Sequence, residues 1–135
     1  MATGARTASR ELLASRADVW AFLAEPYHLS DWWPGITGVV PDRRGFAPGA
    51  RWKVIATTHN WFTGRTARES MLLVRTVEPF ERFSWHLLRP KTDAEITLAA
   101  AGPDRTIVTV STSRGSPARA VGRLYDLVQT AASPS

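Results

Sequence analysis

Polar and apolar residues alternate with a period of two through most of the middle of this chain, and that rhythm predicts strands. Ile36–Asp42, Arg51–Thr58, Arg65–Val77, Arg82–Arg89, Asp93–Ala100 and Arg105–Ser113 each carry it, and Arg6–Ala14 precedes them as a first strand. The intervals "PDRRGFAPG", "HNWFTG", "EPFE", "RPKTD" and "AGPD" supply the Pro, Gly and Asp that turn the chain between strands. "TIVTVSTS" is the cleanest strand by β-branched content.

The period lengthens in three places. In "SRADVWAFLAEP", Ser15 is placed as an N-cap with Asp18 three residues on, a carboxylate variant of the capping box. Val19, Phe22 and Leu23 then recur at helical spacing until Pro26 stops the helix. "HLSDWW" fits a second short helix, closed by Pro34 and Gly35. In "SPARAVGRLYDLVQTAA", Ser116 is an N-cap and Pro117 occupies the first helical position. Val121, Leu124, Tyr125, Val128 and Ala132 form one stripe, with Arg119, Arg123, Asp126 and Thr130 opposite. The order is strand, two short helices, six strands, one long helix. Short loops imply an antiparallel meander, and only the last helix is long enough to cover an apolar sheet face. The fold class is α+β, in a single domain over residues 1–135.

Composition narrows the function classes. A chain of 135 residues can bury a core without staples. The absence of cysteine excludes disulfides, thiolate catalysis and cysteine-rich zinc sites. The N-terminal "MATGARTASR" has no apolar core of a signal peptide, and no stretch approaches the ~20 apolar residues of a membrane span, so a cytoplasmic location is expected. The formal charge of +5 raises nucleic-acid binding. The basic residues are scattered, however, with only Arg43 and Arg44 adjacent, whereas nucleic-acid binders gather charge into a stripe with stacking aromatics. A solvated basic surface is the expectation, with no nucleic-acid partner.

The segments "ASRADVWAFLAEP", "LSDWWPGI", "GARW", "TVEPFERFSWHL" and "DRTIVTVST", in this order, give the chain from Arg6 to Ala132 a recognisable outline. It resembles the START-related (SRPBCC) superfamily, which includes polyketide cyclases/dehydratases, lipid-transfer domains and plant pollen-allergen-type proteins. The resemblance implies a helix-grip fold: a curved seven-stranded antiparallel sheet wrapped around a long C-terminal helix, with two short helices after the first strand. It also implies a deep, mainly apolar cavity between sheet and helix. The final helix, at about 16 residues or ~24 Å, is short for the family. That length implies a cavity partly open, or one completed by a second subunit in a homodimer. Gly122 within it costs about 1 kcal/mol relative to Ala, and close packing against the sheet is favoured over a flexible gate as its reason.

Catalytic candidates are sparse. His28, His59 and His86 lack metal-ligand spacing, so no metal site is expected. His86 alternates with Phe83, Trp85 and Leu87 and is expected to face solvent. His59, in a loop at the expected cavity rim, could act as an acid or base near neutral pH. Glu69 shares strand parity with Met71, Leu73, Arg75 and Val77, so either that set or its alternates (Arg68, Ser70, Leu72, Val74, Thr76) faces inward, with a mid-strand bulge an option. Glu69 and Arg75 would stand ~20 Å apart along a strand and could not pair. No G-x-S-x-G elbow or Gly-rich phosphate loop is present, and no cofactor is expected.

The six tryptophans carry the remaining signal. Each can bury ~150–250 Å² while its N–H still seeks an acceptor. Trp20 and Trp85 are expected in the core. In the adjacent pair Trp32–Trp33, Trp32 is assigned to packing and Trp33 to the cavity. Cavity walls are expected from Trp33, Trp52 and Trp61, from Met71, Leu73, Phe83, Trp85 and Leu98 of the strands, and from Leu124, Tyr125 and Val128 of the last helix. The leading expectation is a protein that binds a hydrophobic or aromatic small molecule, lipid- or polyketide-like, in an internal cavity. One alternative is an aromatase/cyclase- or dehydratase-like enzyme that shapes a flexible chain without a visible motif. Another is an interaction module like the superfamily's chaperone activators, which predicts a minor cavity and an exposed apolar patch.

Overall fold

A computed structural model describes residues 6–60, 62 and 64–132. The chain runs β1 (Arg6–Leu12), α1 (Arg16–Leu23), a single 3-10 turn (Pro26–His28), α2 (Leu29–Trp32), β2 (Ile36–Val40), β3 (Arg51–Asn60), β4 (Gly64–Glu78), β5 (Arg82–Leu87), β6 (Thr92–Gly102), β7 (Arg105–Thr112) and α3 (Pro117–Ala132). All strands belong to one antiparallel sheet in the order β1-β7-β6-β5-β4-β3-β2. Strands β2 to β7 form the expected meander, and β1 returns to the far edge beside β7. This is the α+β helix-grip arrangement the sequence predicts.

Alternation places Trp52, Val54 and Ala56 of β3, Leu72 and Val74 of β4, Phe83, Trp85 and Leu87 of β5, Ile96 and Leu98 of β6, and Val108 and Val110 of β7 on one buried face. A bulge between Val74 and Thr76 inserts one residue into β4 and reverses its parity. Val77 therefore pairs with Phe83 and packs against the core, whereas Glu69, Met71, Leu73 and Arg75 lie on the other face.

Helix α3 covers the apolar face and packs chiefly on β1 and β7. Its buried residues Ala120, Val121, Leu124 and Val128 recur at helical spacing, and truncating the fully buried Leu124 to Ala should cost about 2–5 kcal/mol. Helix α1 begins where Ser15 predicts, its hydroxyl accepting the Asp18 N–H at 3.2 Å. The turn that follows is held by His28, whose Nδ1–H donates to the Phe22 carbonyl at 2.8 Å while its ring stacks on Phe22 at 4.1 Å.

Strand β2 ends at Val40, two residues before the alternation predicts, because Asp42 is used as a loop anchor. Its two carboxylate oxygens accept the backbone N–H groups of Arg44 and Arg51, each at 2.9 Å, tying both ends of the β2–β3 loop together. These N–H groups, Arg51's foremost, hold the Asp42 carboxyl below the ordinary carboxylate range. The loop carries Phe46 back over the sheet, and Trp52 Nε1 donates to the Gly45 carbonyl at 2.7 Å. Strand β1 likewise stops at Leu12 rather than Ala14, and β5 at Leu87 rather than Arg89.

Candidate functional site

The double tryptophan forms a corner. After α2 the chain becomes extended at Trp33, and Gly35 adopts φ +92°, where an L side chain would be strained. The Gly35 carbonyl accepts the Thr57 N–H at 2.7 Å and the Thr57 hydroxyl at 3.3 Å, which pins the corner to β3. Both indoles turn inward: Trp32 is 1% exposed and Trp33 6%. They meet edge-to-face at 5.5 Å, and both rest on Trp85, at 6.2 and 4.8 Å.

A cleft of about 280 Å³ opens beside Trp33. It lies between this corner, the end of β5 with the following turn, and the β7–α3 junction. Trp33, Ile36, Leu87 and Pro90 supply apolar surface; Thr57, Thr92, Arg114 and Ser116 supply polar groups. Arg114 is the one ionisable side chain among the described lining residues. Its backbone is clamped by the buried Thr112, whose hydroxyl donates to the Arg114 carbonyl at 2.8 Å and accepts the Arg114 N–H at 3.3 Å. The chain then turns through Gly115 at φ +85°, with its carbonyl accepting from Arg6 Nη1 at 2.7 Å. Ser116 caps α3, accepting the Arg119 N–H at 3.2 Å.

Many of the expected wall residues lie in the buried cluster to which Trp33 also belongs. Trp52, Phe83, Trp85, Leu98, Leu124 and Val128 belong to a single cluster of buried residues. Their rings form a continuous column: Trp33 to Trp85 at 4.8 Å, Trp85 to Phe83 at 5.0 Å, Phe83 to Phe46 at 4.4 Å, and Phe46 to Trp20 at 5.4 Å. Phe46, read in the sequence only as part of a turn, closes the column by filling the space over Phe83. Trp85 Nε1 is buried without a hydrogen-bond acceptor. Tyr125 is half-buried beneath Arg10, whose guanidinium carbon lies 3.9 Å from the ring centroid. Met71 and Leu73 are half-buried on the outer face. Of the expected wall residues, Trp33 borders the cleft. Trp61 and the side chain of His59 lie outside the described residues.

The charged candidates face outward. Glu69 is exposed opposite Ile55, beside a shallow depression edged by Lys53, Met71, Leu88 and Arg89. Arg75 is exposed and reaches Asp93 at 3.7 Å. Of the two parities open to β4, the set with Leu72 and Val74 takes the buried face, which leaves Glu69 and Arg75 on the outer surface. His86 is on that surface too, but at 14% side-chain exposure it is packed down rather than free in solvent, its Nδ1–H donating to Asp93 at 2.8 Å. Among the described residues no group of acidic or histidine side chains could hold a metal ion. No helix among them is long and apolar enough to cross a membrane.

Sequence reasoning missed Arg114, Thr92 and Leu87 as parts of one site. The local signal was "SRGS", which marks a glycine turn into a capped helix; its proximity to "WWPG" depends on the closure of β1 against β7 and has no sequence signature.

Comparison with known proteins supports the same architecture. A structure of a protein from Nitrosomonas europaea matches with TM-score 0.68 at 18% identity, covering 94% of this chain and 95% of the other. A point mutant of norcoclaurine synthase from Thalictrum flavum, in complex with a transition-state analogue, matches with TM-score 0.68 at 16% identity, covering 96% of each chain. A START superfamily protein from Mycobacterium smegmatis matches with TM-score 0.67 at 12% identity, covering 94% and 95%. At these identities the likeness is one of fold. Among curated proteins none matches by sequence. The family model described as "Activator of Hsp90 ATPase homolog 1-like protein" matches residues 13–125, which takes in every element from the end of β1 to the middle of α3. The chain belongs to this family, within the START-related superfamily.

Proposed function

We propose that the protein binds a small, largely apolar molecule in the cleft beside Trp33, in the cytoplasm. The observation that carries this reading is an open space of about 280 Å³ with an indole, an isoleucine, a leucine and a proline on its walls. Small-molecule sites combine such apolar walls with a few placed polar groups, and this volume lies just below their usual range of ~300–1,000 Å³, which suits a small ligand. One ionisable side chain at the rim supports binding rather than acid–base conversion of the ligand. The test is isothermal titration with 2-phenylethanol, a neutral aromatic probe, together with native mass spectrometry of gently purified protein. Binding is expected in the wild type and loss of it in Ala56→Leu, which enlarges a side chain lining the cleft. Absence of binding to the wild type, or equal binding to a folded Ala56→Leu, overturns the reading.

A second reading, a module that docks on a partner protein, rests on the outer face. Val40 is 60% exposed and Leu88 54% exposed there, and the family description names activation of an Hsp90 ATPase. Single Asp substitutions at Val40 and Leu88 separate the readings: they should leave probe binding unchanged and, if docking is the role, abolish stimulation of an Hsp90 ATPase.

A further inference from the structure

The charge of the cleft is one-sided. Among its described lining residues Arg114 is the one with an ionisable side chain, and none is acidic. Among the described residues the ion pairs are Arg75–Asp93, Arg82–Glu78, Arg82–Glu95, His86–Asp93 and Arg105–Glu11, so Arg114 has no acidic partner. Arg6 is not among the described lining residues, and its Nη1 is engaged by the Gly115 carbonyl at 2.7 Å. The start of α3 adds little of its own: Ser116 Oγ already caps Arg119 N–H, and Pro117 has no N–H. Any preference for charge therefore rests on the guanidinium. Its backbone is held by both bonds to Thr112, so the side chain starts from a defined point beside the apolar wall.

Resting on the binding role proposed above, we infer that the ligand is a small aromatic or aliphatic carboxylate, its apolar body against Trp33, Ile36 and Leu87 and its carboxylate paired with Arg114. A planar guanidinium matches a carboxylate with two parallel N–H donors, which an alcohol or amide cannot use as fully. Because Arg114 is exposed, water and salt screen the pair, and the preference is of the order of five- to tenfold rather than a hundredfold.

The probes are phenylacetate and 2-phenylethanol, which share a ring and chain and differ in charge. Isothermal titration at ~20 mM salt should show phenylacetate binding about five- to tenfold more tightly, with the margin shrinking as salt rises past the range where the Debye length is ~10 Å. Arg114→Gln should bring the two probes to equal affinity by weakening phenylacetate. Arg114→Lys, which keeps the charge and loses the fork, should retain part of the preference. Two probes of equal affinity in the wild type, or a preference that survives Arg114→Gln, overturn the carboxylate assignment and leave the cleft reading standing. Failure of both probes to bind overturns the cleft reading itself, and with it this one.

Discussion

Trp33 meets Trp85 edge-to-face, with ring centroids 4.8 Å apart and planes at 77°, so the indole that walls the cleft rests on an indole at the middle of the sheet. Site and core are therefore one packing unit. Trp33→Ala should remove both a cleft wall and a buried ring, costing about 3–5 kcal/mol in urea unfolding and abolishing 2-phenylethanol binding. Trp33→Phe keeps an aromatic contact and should retain most of the stability with weakened binding. Equal binding by wild type and Trp33→Ala would place the ligand elsewhere.

The two deep tryptophans of the core should respond unequally to the same substitution. Trp52 Nε1 donates to Gly45 at 2.7 Å, whereas Trp85 Nε1 is buried without an acceptor. Trp85→Phe loses area but also removes a stranded donor, whose burial costs about 1–3 kcal/mol. Trp52→Phe loses similar area and a made bond, and releases the loop that carries Phe46. Denaturation midpoints should rank wild type and Trp85→Phe close together and Trp52→Phe clearly below; the reverse order would contradict this account of the two indoles.

The element order, the sheet and the covering helix were legible because each depends on local period: alternation along β3 to β7, the Ser15 and Ser116 caps, the stripe through Leu124. The site was not, for two physical reasons. Alternation left both parities of β4 open as the inner face, and the one-residue bulge at Arg75 brings Val77 from the outer set into the core; neither choice leaves a mark in composition. Phe46, in a segment that reads as a turn, also folds back to pack on the aromatics of the sheet, which alternation alone does not show. Arg114 was invisible as a site residue since its relation to Trp33 is set by tertiary closure alone. At "WWPG" the chain makes a corner with Trp33 beside the cleft and Trp32 buried.

The outward charges should matter little. Glu69 is exposed, and the Arg75–Asp93 pair, at 3.7 Å with both side chains more than half exposed, is of the kind worth about 0–1 kcal/mol. Glu69→Gln and Arg75→Ala should each leave stability within about 0.5 kcal/mol of wild type and probe affinity unchanged. A large loss of binding in either would mean that the outer face takes part in the site.

Gly122 sits inside α3 with room beside it. A Cβ there would lie 3.9 Å from Arg10 Nη1, an ordinary contact with the end of a flexible side chain. Close packing therefore does not demand glycine, and Ala should gain its helix propensity. Gly122→Ala is expected to stabilise by up to about 1 kcal/mol, raising Tm by about 2–5 °C for a domain of this size. A fall in Tm would show that Arg10 cannot yield without losing its place over Tyr125.

Asp42 gives the fold a dependence on acid. Its carboxylate ties Arg44 and Arg51 across the β2–β3 loop, and those backbone donors lower its pKa from 3.8 in the folded chain. The unfolded chain thus binds the proton more readily, so stability rises with pH across the interval between the two values. The contribution is complete above the unfolded value and is lost as pH falls through the folded one. Asp42→Asn keeps the shape but not the charge, so it should be less stable than wild type at pH 7, with the gap closing below about pH 4 as the wild-type carboxyl protonates. Urea unfolding of both proteins from pH 7 to pH 2.5 measures that gap directly. A gap that stayed constant or widened in acid would show that the loop is held by something other than the charged carboxylate. Because Phe46 leaves this loop to pack on Phe83 at 4.4 Å, the same titration should loosen the aromatic column, seen as a rise in tryptophan exposure to quencher at low pH in wild type and at all pH in Asp42→Asn.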